Sequence, residues 1–271
     1  MAVWFVTGAS KGLGKAIVEI ALRKGHSVAT LSSRAGAQAL SAAHLPLQAD
    51  LADPDQVLAA VTSTLERFGR IDIVINAAGR GLFGPIEEAS DGEIRAVFDV
   101  TFFGTMNVIR ATLPCLRAAG SGRIFNITSV AGFAATPGEG VHSAANFAIE
   151  GLSEALASEL SDTGVTVHLI EPGKFRTHRP ADMRARHTKS SPIPEYEWTV
   201  EAALREQHAH LEFQPGDPAK AAAVLEQIGT MSDPPFRIQL GSDAVVRVHQ
   251  KLASVETELK RWSPVAISTD Y

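Results

Sequence analysis

Along the first 170 residues, short β-branched and apolar runs alternate with longer amphipathic stretches, and this alternation restricts the fold more than any other feature. Val3 to Val6, Ser27 to Leu31, Leu45 to Gln48, Ile73 to Ile75, Ile124 to Thr128 and Val165 to Ile170 read as strands. Gly12 to Lys24, Pro54 to Phe68, Asp91 to Arg117 and Ser143 to Leu160 carry helical periodicity. Strand and helix alternating at this spacing imply βαβ units, and hence a doubly wound parallel sheet of the Rossmann-like α/β class. Such a sheet binds its ligand beyond the carboxyl ends of its strands. Chemistry is therefore expected in the segments that immediately follow them.

The rhythm changes after Pro172. Residues 174 to 216 are rich in His, Arg and Pro without a clear strand, and are expected to form a substrate lid. A helix from Asp217 to Gln227 and a last strand near Arg237 to Leu240 follow. The sequence thus divides into a single Rossmann-like domain over 1–241 and a C-terminal helix and tail over 242–271. The stretch from Ala244 to Trp262 reads as a solvated packing helix of mixed charge.

Composition narrows the function classes. Twenty-five Lys and Arg against thirty Asp and Glu leave −5, which argues against a nucleic-acid footprint. No apolar run approaches the ~18 residues of a spanning helix, so no membrane partner is expected. Cys115 is the only cysteine, which excludes an intrachain disulfide and a Cys-based zinc site and fits a reducing cytoplasm. No metal is expected.

The loop Thr7-Gly8-Ala9-Ser10-Lys11-Gly12-Leu13-Gly14 follows the first strand and opens the first helix. Glycines there allow a tight turn and a close approach to a pyrophosphate, which the free N–H groups of the helix N-terminus stabilise. An NAD site usually places an acidic residue about twenty positions further on to hold the ribose 2′-hydroxyl. From Ile20 to Ala49 there is no Asp or Glu. In its place stand Lys11 in the loop and Arg34 after the second strand, with Ser32 and Ser33 nearby, and two cations without a carboxylate suit the 2′-phosphate of NADP(H).

These motifs resemble those of the short-chain dehydrogenase/reductase family. Asp50-Leu51 resembles the family's adenine contact, and Asn76-Ala77-Ala78-Gly79 follows the fourth strand as the family's NAG-type turn does. Pro172-Gly173, with Phe175 and Thr177 just beyond, resembles its nicotinamide-side loop. The resemblance runs from Val3 to about Leu240. It implies a nicotinamide cofactor, a small-molecule substrate, and homodimers or homotetramers formed through the long helices containing Phe98 to Leu113 and Phe147 to Leu160.

The pattern breaks at the catalytic positions. The family uses an Asn on a long helix, a Ser after the fifth strand, and a Tyr and Lys spaced YxxxK. Here Ser129 is retained, whereas Thr101 stands for Asn, His142 for Tyr and Asn146 for Lys. The chain has only two tyrosines, Tyr196 and Tyr271, neither near that position. A phenol with a pKa of about 10 is a poor acid–base at neutral pH without a neighbouring cation. An imidazole titrates near ~6.5 unaided, and a nearby ammonium would oppose its protonation, so exchanging Lys for Asn suits a histidine acid or base. His142 and Asn146 are spaced i, i+4 on one helix face, and Asn146 can still hydrogen-bond a nicotinamide ribose. The imidazole reaches roughly 2 Å less far than a phenol oxygen, so the substrate must sit deeper or a water must bridge.

Other candidates are weaker. Tyr196 is expected to pack with Trp198, Glu139 to orient His142 or to cap its helix, and His178, His187, His208 and His210 to be solvated. Three readings stay open. One is an NADPH-dependent reductase of a carbonyl or activated alkene on a partly apolar molecule, with His142 or water as proton source and Ser129 polarising the oxygen. The second is a non-redox isomerase, cyclase or dehydratase of specialised metabolism that keeps NADP as a bound element. The third is a catalytically silent NADP(H)-binding protein.

Overall fold

The computed structural model describes residues 1–33, 38–176, 193–203, 205 and 214–271. Seven strands form one parallel sheet in the order β3-β2-β1-β4-β5-β6-β7. They are β1 (Val3–Thr7), β2 (Ser27–Ser32), β3 (His44–Gln48), β4 (Ile73–Asn76), β5 (Gly122–Ile127), β6 (Val165–Pro172) and β7 (Arg237–Leu240). The α-helices among the described residues are α1 (Gly12–Arg23), α2 (Pro54–Phe68), α3 (Asp91–Phe98), α4 (Gly104–Ala119), α5 (Gly140–Glu159), α6 (Pro218–Thr230) and α7 (Ser242–Ile267). The doubly wound α/β expectation holds. The order reverses between β1 and β4, which opens a crevice above the carboxyl ends of those two strands.

The central strands are buried on both faces, as continuous Val, Ile and Phe runs require in a parallel sheet. One core layer packs Phe5, Val74 and Ile124 against α2 and α4. The other packs Trp4, Val6, Ile75 and Phe125 against α1 and α6. Helix ends follow their local chemistry. Asp53 caps α2 by accepting from Asp55 N and Gln56 N, and Ser90 with Glu93 forms a reciprocal capping box on α3.

The single helical pattern expected from Asp91 to Arg117 contains a π turn, Asp99–Phe103, between α3 and α4. Periodicity cannot reveal a one-residue insertion that leaves both flanking faces intact. Such turns are frequent where a helix serves a site.

A partly buried ionic cluster joins α5 to the last two strands. Arg237 reaches Glu150 Oε2 and Glu154 Oε1, each at 2.9 Å. Its Nε lies 2.6 Å from Glu171 Oε1 but off the N–H axis, an ion pair without a hydrogen bond. Gln239 donates to Glu171 Oε2, and Thr128 Oγ1 donates to Glu150 Oε1 at 2.6 Å. Burial pushes the Glu150 carboxyl up to about 7, the charge of Glu171 adding to the shift and Thr128 and Arg237 opposing it. Burial likewise raises Glu171.

A carboxyl raised in the folded state favours the protonated form there. Its stabilising contribution is complete below the ordinary value of 4.5 and is lost as pH rises through about 7. Glu150→Gln keeps the shape and removes the titration. Urea melts of this variant are expected to show a flatter pH dependence between 4.5 and 7 than the wild type, by about 2 kcal/mol across the window.

Candidate active site

The loop after β1 is shaped by close backbone approach. Gly8 has φ +69°, and a Cβ on it would lie 2.5 Å from the Ala77 carbonyl oxygen. A Cβ on Gly14 would strike the Gly8 carbonyl. Gly12, φ +59°, opens α1, and Lys11 occupies the N-cap position in extended conformation. The N-cap residue of α1 makes no side-chain capping hydrogen bond to the first N–H groups of the helix. Ser10 and Ser33 are exposed. Arg34 and Thr177 lie outside the described residues, as do His178, His187, His208 and His210.

The turn after β4 is locked onto the same loop. Thr7 Oγ1 accepts from Ala77 N and Ala78 N, both at 3.2 Å. Asn76 is buried and donates to Asn126 Oδ1 at 2.9 Å; Asn126 donates to Ser153 Oγ, and Ser153 to the Ile149 carbonyl in α5. On the other side, Asp50 holds its own turn by accepting from Ala52 N, and the Leu51 carbonyl accepts from Asn107 Nδ2 of α4 at 2.9 Å. The carboxyl ends of β1, β4, β5 and β6 thus bring Gly8, Gly79, Ser129 and Gly173 to one edge of the sheet.

At the far end of that edge, Pro172 closes β6, and Gly173 N donates to the Leu240 carbonyl. A Cβ on Gly173 would run into the Asp243 carboxylate, which accepts from Lys174 N at 2.7 Å. Phe175 pairs with Gly216, so the long excursion between them begins and ends at one bridge.

The four positions of the catalytic pattern, three of them altered, occupy neighbouring elements. Thr101 sits in the π turn, where its Oγ1 accepts from Arg80 N at 3.1 Å, and a Cβ on Gly79 would come 3.9 Å from that oxygen. Ser129 is half-buried at the start of a short 3-10 turn, Val130–Gly132, and its Oγ accepts from Ala131 N at 3.1 Å. That turn packs on α5 so closely that a Cβ on Gly132 would lie 2.9 Å from Asn146 Cβ.

His142 lies in the first turn of α5 and is half-buried. Its ring stacks on Phe83, with centroids 5.7 Å apart. Gly84 N, next to Phe83, donates to the Gly138 carbonyl just before α5, which places Phe83 there. Asn146 is buried, and its Nδ2 donates to the His142 carbonyl at 2.8 Å. The same nitrogen is 3.3 Å from Nδ1 and 3.4 Å from Nε2 of the ring. Near-equal distances to two ring nitrogens put the amide over the imidazole face instead of on an in-plane nitrogen axis.

Two expectations are corrected, the capping role of Glu139 and the packing of Tyr196. Glu139 stands at the N-cap of α5 without capping it through its side chain; it pairs with Arg247 of α7 at 3.7 Å and with the Thr136 hydroxyl. Tyr196 does not depend on packing with Trp198, which is 84 % exposed. Its hydroxyl donates to Glu87 Oε2 at 2.8 Å, and the hydrogen bond and charge of Glu87 push the phenol pKa up. Phe83 and the Arg80 backbone gave no signal in the sequence, because nothing in their spacing announces contact with α5 or the π turn.

Residues 2–188 match the family model described as short chain dehydrogenase. The chain is 31 % identical over 277 residues to oxidoreductase BOA17 of Botryotinia fuckeliana, covering 98 % of each. It superposes on a short-chain dehydrogenase from Streptomyces avermitilis with a TM-score of 0.86 and 34 % identity, covering 100 % of this chain and 98 % of that one. A Burkholderia cenocepacia short chain dehydrogenase in complex with NADP matches with a TM-score of 0.72 and 25 % identity over 96 % of both chains. No described helix is long and apolar enough to cross a membrane.

Replacing Gly8 forces a side chain into left-handed backbone and against the Ala77 carbonyl. Gly8→Ala is expected to cost at least about 2 kcal/mol of stability in denaturant melts. Gly92→Ala, where a Cβ meets nothing within 4 Å, serves as the control that leaves stability near wild type.

Proposed function

Because the chain belongs to the short-chain dehydrogenase family, we propose that it is an NADP(H)-dependent oxidoreductase of a small, partly apolar carbonyl compound or activated alkene, with His142 in the acid–base role. The observation that carries this reading is the setting of His142. Its imidazole is fixed between Phe83 and the Asn146 amide, on the helix against which the Ser129 turn packs.

The residues present fit a dinucleotide. Gly8 and Gly14 let the loop turn tightly against the Ala77 and Gly8 carbonyls, which leaves its backbone bare of side chains at those positions, and the N-terminus of α1, which has no side-chain cap, would supply donors for a pyrophosphate. Lys11 and Arg34 would hold a 2′-phosphate, with Ser10 and Ser33 beside them. Leu13 would lie under the loop and Asp50 and Leu51 at the adenine. Asn76, Ala77 and Gly79 would line the middle of the crevice, and Asn146, Pro172, Gly173, Phe175 and Thr177 the nicotinamide side. When bound, the cofactor exchanges a hydride with the substrate carbon.

The chain's own residues then manage the proton. Ser129 Oγ already accepts from Ala131 N, which leaves its hydroxyl proton to donate to the substrate oxygen. In the reducing direction His142 gives a proton to that oxygen and recovers it from water; in the oxidising direction it takes the proton away. Thr101, bonded to Arg80 N, keeps the π turn against the loop after β4. Protomers pair through α4 with the π turn that precedes it and through α5, where Phe103 of the turn and Phe147 of α5 are 48 % and 44 % exposed, and the protein works in a reducing cytoplasm.

Loss of NADPH absorbance on adding a carbonyl substrate, with deuterium from labelled cofactor appearing at the product carbon, is the expected result. Turnover without cofactor oxidation rejects the redox reading in favour of a non-redox enzyme that keeps NADP bound. His142→Ala is expected to lower kcat at least ~100-fold and to abolish the pH-dependent limb of kcat, while NADPH binding stays within a few-fold of wild type. Lys11→Ala is expected to weaken NADPH about tenfold and leave NADH binding unchanged, as measured by fluorescence titration.

A further inference from the structure

The C-terminal helix is anchored at one end and projects at the other. Ala244 and Val248 of α7 pack on Val130 and Phe133, and Arg247 is held by Glu139 and the Ala134 carbonyl. Beyond Val248 every residue of the helix is exposed except Ser263, which is half-buried. The projecting part, residues 249 to 267, is roughly 28 Å long at 1.5 Å per residue.

That projecting part carries an apolar stripe. Leu252, Val255, Leu259 and Trp262 continue, at alternating steps of four and three, the line begun by Val245 and the body-packed Val248, the spacing of a helix that packs along another helix. Leu252, Val255, Leu259 and Trp262 are between 44 % and 64 % exposed. A solvated helix has no need of such a stripe, and an exposed one marks an interaction surface.

We propose that α7 is a self-association helix, and that the stripe docks against α7 of a second copy of this chain. The flanking charges favour this occupant. One flank of the stripe carries Lys251 and Glu258, and the other His249 and Glu256. In a parallel pair opposite flanks meet, which sets Lys251 against Glu256 of the partner subunit. In an antiparallel pair like flanks meet, which sets Lys251 against Glu258 of the partner subunit. The lysine therefore meets a carboxylate in either orientation. A membrane surface is the poorer match, because α7 carries Arg247, Lys251, Lys260 and Arg261 against Asp243, Glu256 and Glu258, nearly neutral where lipid-binding faces are strongly basic.

This contact is separate from pairing through α4 and α5, and the test separates the two. The full chain bearing Phe103→Glu and Phe147→Glu is examined by sedimentation over a wide concentration range. It is expected to remain dimeric, and addition of Leu259→Glu and Trp262→Glu is expected to render it monomeric, with a dissociation constant raised at least tenfold. Circular dichroism reports retained helix. A monomer at every concentration with α7 intact overturns the proposal, as does a dimer that survives the α7 substitutions. Should the Phe variants fail to fold, Leu259→Glu with Trp262→Glu in the otherwise wild-type chain must halve the particle mass; an unchanged mass overturns the proposal. Binding of a monomeric chain to phosphatidylserine vesicles that those substitutions abolish also overturns it, and identifies a lipid surface as the occupant.

Discussion

The structure turns on the joint between the ends of β1 and β4. Thr7 gives its hydroxyl oxygen to two consecutive N–H groups, Ala77 and Ala78, which no strand partner could satisfy once the sheet order reverses there. Gly8 then turns with positive φ against the Ala77 carbonyl. Together they hold two strand ends a fixed distance apart while sending α1 away on one side. An unsatisfied buried N–H costs about 1–3 kcal/mol, so this one hydroxyl is worth more than an ordinary surface contact. The crevice exists because the backbone there is both paired and bare.

From that joint a buried polar chain runs sideways to α5. Asn76, Asn126, Ser153 and the Ile149 carbonyl pass a hydrogen bond from β4 through β5 into α5. Farther along the same helix, Glu150 accepts from Thr128, the residue before Ser129, and shares Arg237 with Glu154. Both connections fix α5 relative to the strand that carries Ser129. Partly satisfied networks of this kind are costly, and Asn76 Oδ1 has no partner among the described residues. The cost falls on residues that set the spacing between the cofactor loop and α5.

The sequence made some of this legible and hid the rest, for identifiable reasons. Strand runs such as Ile73 to Ile75 are doubly buried and read plainly, and the glycine loop is tied to its strand by adjacency. The π turn around Thr101 was hidden because an inserted residue keeps both flanking faces in register. Phe83 reaches His142 only because Gly84 bonds to Gly138, a pairing across 54 residues with no periodic trace. The charged residues Glu150, Glu171 and Arg237 look like surface positions in sequence and are brought inside by the meeting of α5, β6 and β7. The helix over the C-terminal residues was visible, whereas its projection beyond the body depends on where the body ends.

The tyrosine count acquires a structural meaning. With a phenol absent from position 142, four residues before Asn146, Tyr196 is the one tyrosine in the chain that does not lie at its last residue. Its proton is committed to Glu87, and the neighbouring carboxylate makes the phenolate less accessible than in water. A phenol in that state is a worse acid–base at neutral pH than a free one, so moving the family's chemistry onto Tyr196 would require breaking the Glu87 contact and reversing its electrostatics. His142 needs neither. It stands on α5 beside the Ser129 turn, its ring is oriented by Phe83 and Asn146, and the ammonium that would oppose its protonation is absent from position 146. The two changes are physically compatible: without an ammonium at position 146, an imidazole at position 142 has no like charge there to oppose its protonation.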